Sequence, residues 1–337
     1  MTLCIAWIRQ DNENQELMFA TDSCLTGGGE VWKHGVKLFE LPRKDCLLCF
    51  AGETFKAYPL ILNFISSIKF DQKIMNQHTN IREVLEYLCA TFTELINQLT
   101  IEIPDPPEDP HAAAKFIFGG WNWKLQIFEF WEIYYGTQQK KFLYKGFSSV
   151  DPRAYLMIGD HIEEAEGILM EELTKANKKI KGNLDMEPFL VLSKMARDTE
   201  NFRSIDGALQ IAKVYSSGTT EFFGIMWQSL NGKHTFLGRE LNPYVKPQIR
   251  FIDPDSGTIL DLELPKNISG LNTENYGTEK SFIEECYPNG EQKPGLSEKE
   301  KEMLLAIFKD NSYKSFLSGL LMESRSLEDS PEEGGVV

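Results

Sequence analysis

"TLCIAWIRQ" occupies residues 2–10, directly behind Met1. Leu3, Ile5, Trp7 and Ile8 form an apolar-rich run with no charge before Arg9, which reads as a short buried strand. A strand this close to the start builds the terminus into the fold, and it places a small hydroxyl residue, Thr2, at the strand's head. Working outward, further strands are expected near 15–22, 34–40 and 45–51, with a glycine turn at Gly27, Gly28 and Gly29.

Two helical stretches follow. Residues 53–68 place Phe55, Tyr58, Leu62 and Ile65 along one face, and residues 80–99 do the same with Ile81, Leu85, Leu88 and Phe92. "EIPDPPEDPH" (102–111) is expected to be a loop, because its prolines remove backbone donors and its acids favour water. Strands come next near 113–120, 124–134 and 140–147, and "LQIFEFWEIYY" is apolar on both faces, as a strand between two layers must be. The pattern then repeats: "YLMIG" (155–159), helices near 161–177 and 185–199, then strands near 208–217, 221–229 and 233–241. Antiparallel hairpins alternating with helix pairs predict an α+β fold, a four-layer αββα sandwich of two antiparallel sheets with the helix pairs outside.

That domain is expected to span residues 1–241. Residues 242–337 read as an acidic extension: a hairpin around Pro254-Asp255-Ser256-Gly257, a linker, a helix over 297–321 capped by Ser297 and Glu300, and a disordered tail. Beyond residue 242 the chain carries 18 acidic against 10 basic residues.

The whole chain of 337 residues has a formal net charge of −15, which repels nucleic acid and anionic membrane, and its basic residues form no patch. No apolar run approaches the roughly 20 residues of a bilayer span, and no signal peptide is seen, so a cytoplasmic protein is expected. Six scattered cysteines, including Cys46 and Cys49 within an apolar strand, read as buried reduced thiols rather than as a zinc or redox pair.

Thr2 behind Met1, "FATDS" (19–23), "KHGVKLFEL" (33–41), "CFAGETFKAY" (49–58), "FIFGGW" (116–121) and "MIGD" (157–160) form an ordered set. Together they resemble the proteasome β-type family of N-terminal nucleophile hydrolases, the 20S proteasome and bacterial HslV-like members. The resemblance covers about residues 2–240. It implies a threonine peptidase whose nucleophile, Thr2, is exposed when Met1 is removed, so that hydroxyl and α-amine sit on one residue. It further implies that Lys37 lowers the pKa of that amine, that Asp22 pairs with Lys37, and that the backbone amide at Cys49 serves the oxyanion. Asp160 stands where the family carries a supporting serine, and no Asp-x-x-Ser is clear in "RDTENFRSIDG" (197–207). His161 reads as structural.

Implied partners are a peptide or protein substrate, other copies of the chain in a homo-oligomeric ring, and an unfoldase ATPase. No cofactor, metal, nucleic acid or membrane is implied. Two alternatives stay open: an N-terminal nucleophile amidase on a small-molecule amide, and a catalytically silent scaffold, motivated by Asp160 and the missing serine.

Overall fold

A computed structural model describes residues 2–11, 14–27, 29–100, 114–150, 155–175, 184–227, 233–241 and 249–260, together with shorter stretches between 264 and 307. The expected loop at 102–111, most of the expected helix at 297–321 and the C-terminal tail lie outside the described residues. By its internal contacts the chain divides into two units, Met1–Leu260 and Asp261–Val337. This boundary falls later than the 241/242 boundary drawn from sequence, because β15 (Phe251–Ile252) pairs in parallel with β12 (Thr220–Trp227) and then antiparallel with β16 (Ile259–Leu260).

The first unit is a mixed α+β structure whose sheets are antiparallel apart from that β12–β15 pair. Its larger sheet runs β10 (Tyr155–Gly159), β1 (Leu3–Asp11), β2 (Asn14–Thr21), β11 (Gln210–Tyr215), β12, β13 (Lys233–Phe236) and β14 (Arg239–Glu240). The smaller one runs β5 (Leu38–Glu40), β6 (Cys46–Gly52), β7 (Ala114–Asn122), β8 (Ile127–Gly136) and β9 (Lys141–Ser148). A short hairpin, β3 (Leu25–Gly27) with β4 (Glu30–Trp32), stands apart.

Period-two alternation divides the side chains of each strand between two environments. In β1, Leu3, Ile5 and Trp7 join a cluster with residues of α4 (Ile162–Lys175) and α5 (Glu187–Arg197), whereas Cys4, Ala6 and Ile8 join a second cluster that draws on both sheets. In β6, Cys46, Leu48 and Phe50 pack with α1 (Thr54–Phe70) and α3 (Ile81–Ile96), whereas Leu47, Cys49 and Ala51 join the inter-sheet cluster. A four-residue helix, α2 (Gln72–Met75), links α1 to α3.

Three expectations are corrected in detail. The buried face of α1 is Ala57, Leu60, Ile61, Phe64 and Ile68, so Phe55 and Leu62 lie on the opposite side, 73% and 56% exposed. The stretch 34–40 is strand only from Leu38, because Gly35 N–H donates to Ser23 O, and the Gly35 carbonyl and the Lys37 N–H are held by a side chain, Gln210. The stretch 233–241 is a hairpin rather than one strand, turned at Leu237 and Gly238, both at positive φ.

The second unit has its own apolar cluster, including Ile283 and Cys286 of α6 (Lys280–Cys286) with Tyr287, Leu296 and Leu304. The capping box is present: Ser297 N–H and Oγ–H donate to Glu300 Oε2 at 2.7 and 2.5 Å, and Glu300 N–H donates to Ser297 Oγ at 3.3 Å.

Candidate active site

Strand register gathers four of the relevant positions at one end of the larger sheet. Cys4 pairs with Thr21, Thr21 with Gln210, and Leu3 with Gly159. Asp160, Thr2, Asp22 and Gln210 therefore sit side by side on or just beyond the ends of β10, β1, β2 and β11. Lys37 reaches the same place from the segment that enters β5, in the other sheet.

Lys37, Asp22 and Thr2 are buried, with 0%, 0% and 1% of their surface exposed. Lys37 Nζ donates to Asp22 Oδ2 at 2.8 Å and to Thr2 Oγ1 through a very short contact. The Asp22 carboxylate also accepts from Leu3 N–H at 3.2 Å and Cys24 N–H at 2.9 Å. Burial pushes the Asp22 carboxyl above its ordinary value, opposed by the Lys37 ammonium and by these backbone donors. An ion pair this dry is retained only where its members are fully hydrogen-bonded, and removing one of them leaves a buried charge.

Asp160 clasps Thr2 from the other side. Its N–H donates to Thr2 O at 2.8 Å, and its Oδ2 accepts from Thr2 N at 3.1 Å. The approach requires Gly159: its φ is +117°, and a Cβ there would lie 1.9 Å from Thr2 O. His161 follows at φ +56°, with its Nδ1 3.1 Å from Glu164 Oε1 and its ring edge-on to Phe202.

Cys49 lies inside β6, as the strand expected over 45–51 has it, but it is paired with Leu38 on one side and Ile117 on the other, which does not fit the oxyanion role the resemblance implied for its amide. Phe50 N–H donates to Lys37 O at 3.3 Å on the β5 side, and successive amides point to opposite edges, so the Cys49 amide faces Ile117 within the ladder. Its thiol is buried in the inter-sheet cluster, where burial and the adjoining Cys4 thiol push it far up. The strand's last residue is Gly52, at φ +111°, next to the helix cap Glu53.

Gln210 was missed from sequence. Fully buried, its Oε1 accepts from Lys37 N–H at 3.0 Å and Leu38 N–H at 3.3 Å, while its Nε2 donates to Gly35 O at 2.7 Å and Asp22 O at 3.4 Å. The signal was available: Gln210 shares strand parity with Ala212 and Val214, so it is a polar residue in a row of buried apolar ones.

All six cysteines are buried and unpaired. Among the described residues no group of three or more His, Cys, Asp or Glu could hold a metal, and no helix is long and apolar enough to cross a membrane.

No protein-family model matches the sequence, and no curated protein matches it. Among solved structures the chain is similar to Anbu from Pseudomonas aeruginosa, described as a helical assembly of the Anbu complex, at 16% identity over 66% of this chain and 85% of that one, TM-score 0.49. It is also similar to Anbu, the ancestral beta-subunit, from Yersinia bercovieri, at 17% identity over 65% and 86% of the two chains, TM-score 0.46. Anbu from Hyphomicrobium sp. strain MC1 aligns at 14% identity over 65% and 84%, TM-score 0.45. The resemblance read from sequence, to the 20S proteasome and HslV-like subunits, is corrected by this finding: the similar structures are Anbu proteins, which are proteasome-like but distinct.

Proposed function

We propose that this chain is an N-terminal nucleophile hydrolase that cleaves peptide bonds through Thr2. The observation that carries the reading is the buried Lys37 ammonium shared between Thr2 Oγ1 and Asp22 Oδ2. A lysine needs no such pairing with a threonine hydroxyl for stability alone, because an apolar residue would fill the space without the cost of desolvating two charges.

Met1 acylates the Thr2 nitrogen, so the site has no base until Met1 is removed. Removal frees an amine on the same residue as the hydroxyl. That amine takes the Oγ1 proton as Oγ1 attacks the amide carbon, Lys37 stabilises the developing alkoxide, and the amine then gives the proton to the departing nitrogen. Water repeats the sequence on the Thr2 ester. The oxyanion donor in this reading is the Gly52 amide, the one at the end of β6. The three apolar clusters of the first unit support a four-layer αββα arrangement. The exposed apolar stripe of α1, Phe55, Leu62 and Phe70, supports self-association, which native mass spectrometry checks.

One observation favours the silent-scaffold reading. A carboxylate 3.1 Å from the Thr2 nitrogen stabilises its protonated form and opposes its service as a base. Intact mass and covalent labelling decide between the two. The hydrolase reading expects a mature chain lacking Met1 that takes up one β-lactone probe, with uptake abolished in Thr2→Ala. Quantitative retention of Met1, or labelling that survives in Thr2→Ala, would overturn it.

A further inference from the structure

Beside Asp160 lies an open groove of ≈ 660 Å³, lined by residues that include Thr26, Val31, Asp160, Glu200, Arg203 and Ser204. One of its lining residues carries a charge that the fold leaves without a partner: Arg203 is exposed, and no carboxylate pairs with it among the described residues.

The chemistry of the neighbouring threonine says which part of a substrate belongs here. When the amide C–N bond breaks and the Thr2 Oγ1–C bond has formed, the proton that left Oγ1 travels on the α-nitrogen to the departing nitrogen. The departing group must therefore lie on the α-nitrogen's side of Thr2. Asp160 marks that side, since its Oδ2 accepts from Thr2 N, and it also lines the groove.

We propose that this groove is the leaving-group subsite, and that Arg203 selects a leaving group bearing a carboxylate within one residue of the departing nitrogen. The inference rests on the hydrolase reading above. Asp160 attracts the departing nitrogen as it becomes an ammonium, and Arg203 offers a planar fork to the carboxylate. Glu200, also in the lining, repels a carboxylate placed near it. Two sources share this chemistry: the side chain of an acidic residue directly after the scissile bond, and the α-carboxylate of a single departing amino acid.

Binding to the full chain carrying Thr2→Ala tests the groove without requiring turnover. Glutamyl-alaninamide is compared with glutaminyl-alaninamide, and alanine with alaninamide, by calorimetry. The first pair reports the side-chain source and the second the α-carboxylate source. In at least one pair the acid is expected to bind at least tenfold more tightly than its amide twin, with the difference lost in Arg203→Ala at unchanged Tm. No discrimination in either pair, or discrimination that survives Arg203→Ala, overturns the subsite. Failure here alongside normal β-lactone labelling removes the subsite alone. Selective binding in a chain that never labels at Thr2 removes the hydrolase reading and leaves a carboxylate-binding groove.

Discussion

In the hydrolase proposed above, Thr2 stands between two opposed neighbours. Lys37 favours the neutral amine and the alkoxide, whereas Asp160 favours the ammonium. Replacing the carboxylate by the neutral Asp160→Asn is therefore expected to move the ascending limb of the pH–rate profile to lower pH, because the amine then loses its proton more readily. An unmoved limb would mean that Asp160 does not act on the free amine. Lys37→Ala is expected to lower the peptide-cleavage rate by about 10²–10³-fold, the range seen when one preorganised donor is removed. Rates of wild type and variant, normalised to the folded fraction, check this. Asp22, Lys37 and Thr2 were legible in the sequence because each lies within an ordered set of short motifs. Gln210 was not, since its role depends on which segment crosses it.

At the level of elements, β11 is the strand on which the site leans. Gln210→Leu removes acceptors from two buried N–H groups and a donor from two carbonyls. It is expected to destabilise the chain by about 2–4 kcal/mol, since each orphaned group costs about 1–3 kcal/mol and part of the loss is relieved by rearrangement; urea unfolding measures it. The other end of β11 meets a charged network in which Glu221 accepts from Arg250 Nε at 2.8 Å and Nη2 at 2.5 Å, and Arg250 Nη2 also donates to the Tyr215 hydroxyl at 3.0 Å. Burial works to raise the Glu221 carboxyl, but Arg250 and the Tyr215 hydroxyl prevail and hold it below its ordinary value. A depressed carboxyl contributes stability that is present above its unfolded pKa and lost as pH falls through its folded one. Glu221→Gln should therefore be less stable than wild type near neutral pH, by ~1 kcal/mol after solvent screening. The difference should vanish in acid, below the carboxylate range. A difference independent of pH would assign the effect to packing.

Across the whole molecule, each unit holds an apolar cluster of its own. A chain ending at Leu260 is expected to keep one cooperative transition in calorimetry and to label at Thr2 as the full chain does. Ending instead at residue 241 would remove β15 and its pairing with β12, and a lower Tm than the 260-residue chain is the expected result.

Periodicity alone placed nearly all of the strands and all four long helices among the first unit's described residues, because alternation and 3.6-residue spacing are local properties of the sequence. It did not place the buried face of α1: apolar residues occur on both sides of that helix, and only the smaller sheet decides which side is covered. Nor did it show which amides of β6 the ladder takes up, for that depends on the neighbouring strands as much as on the strand itself. The sequence determined which residues had the chemistry for a hydroxyl nucleophile, an ammonium and two carboxylates. Only the tertiary structure decided that they meet, because Lys37 comes from one sheet and Thr2, Asp22, Asp160 and Gln210 from the other, and contacts between segments up to 188 residues apart are fixed by packing rather than by spacing along the chain.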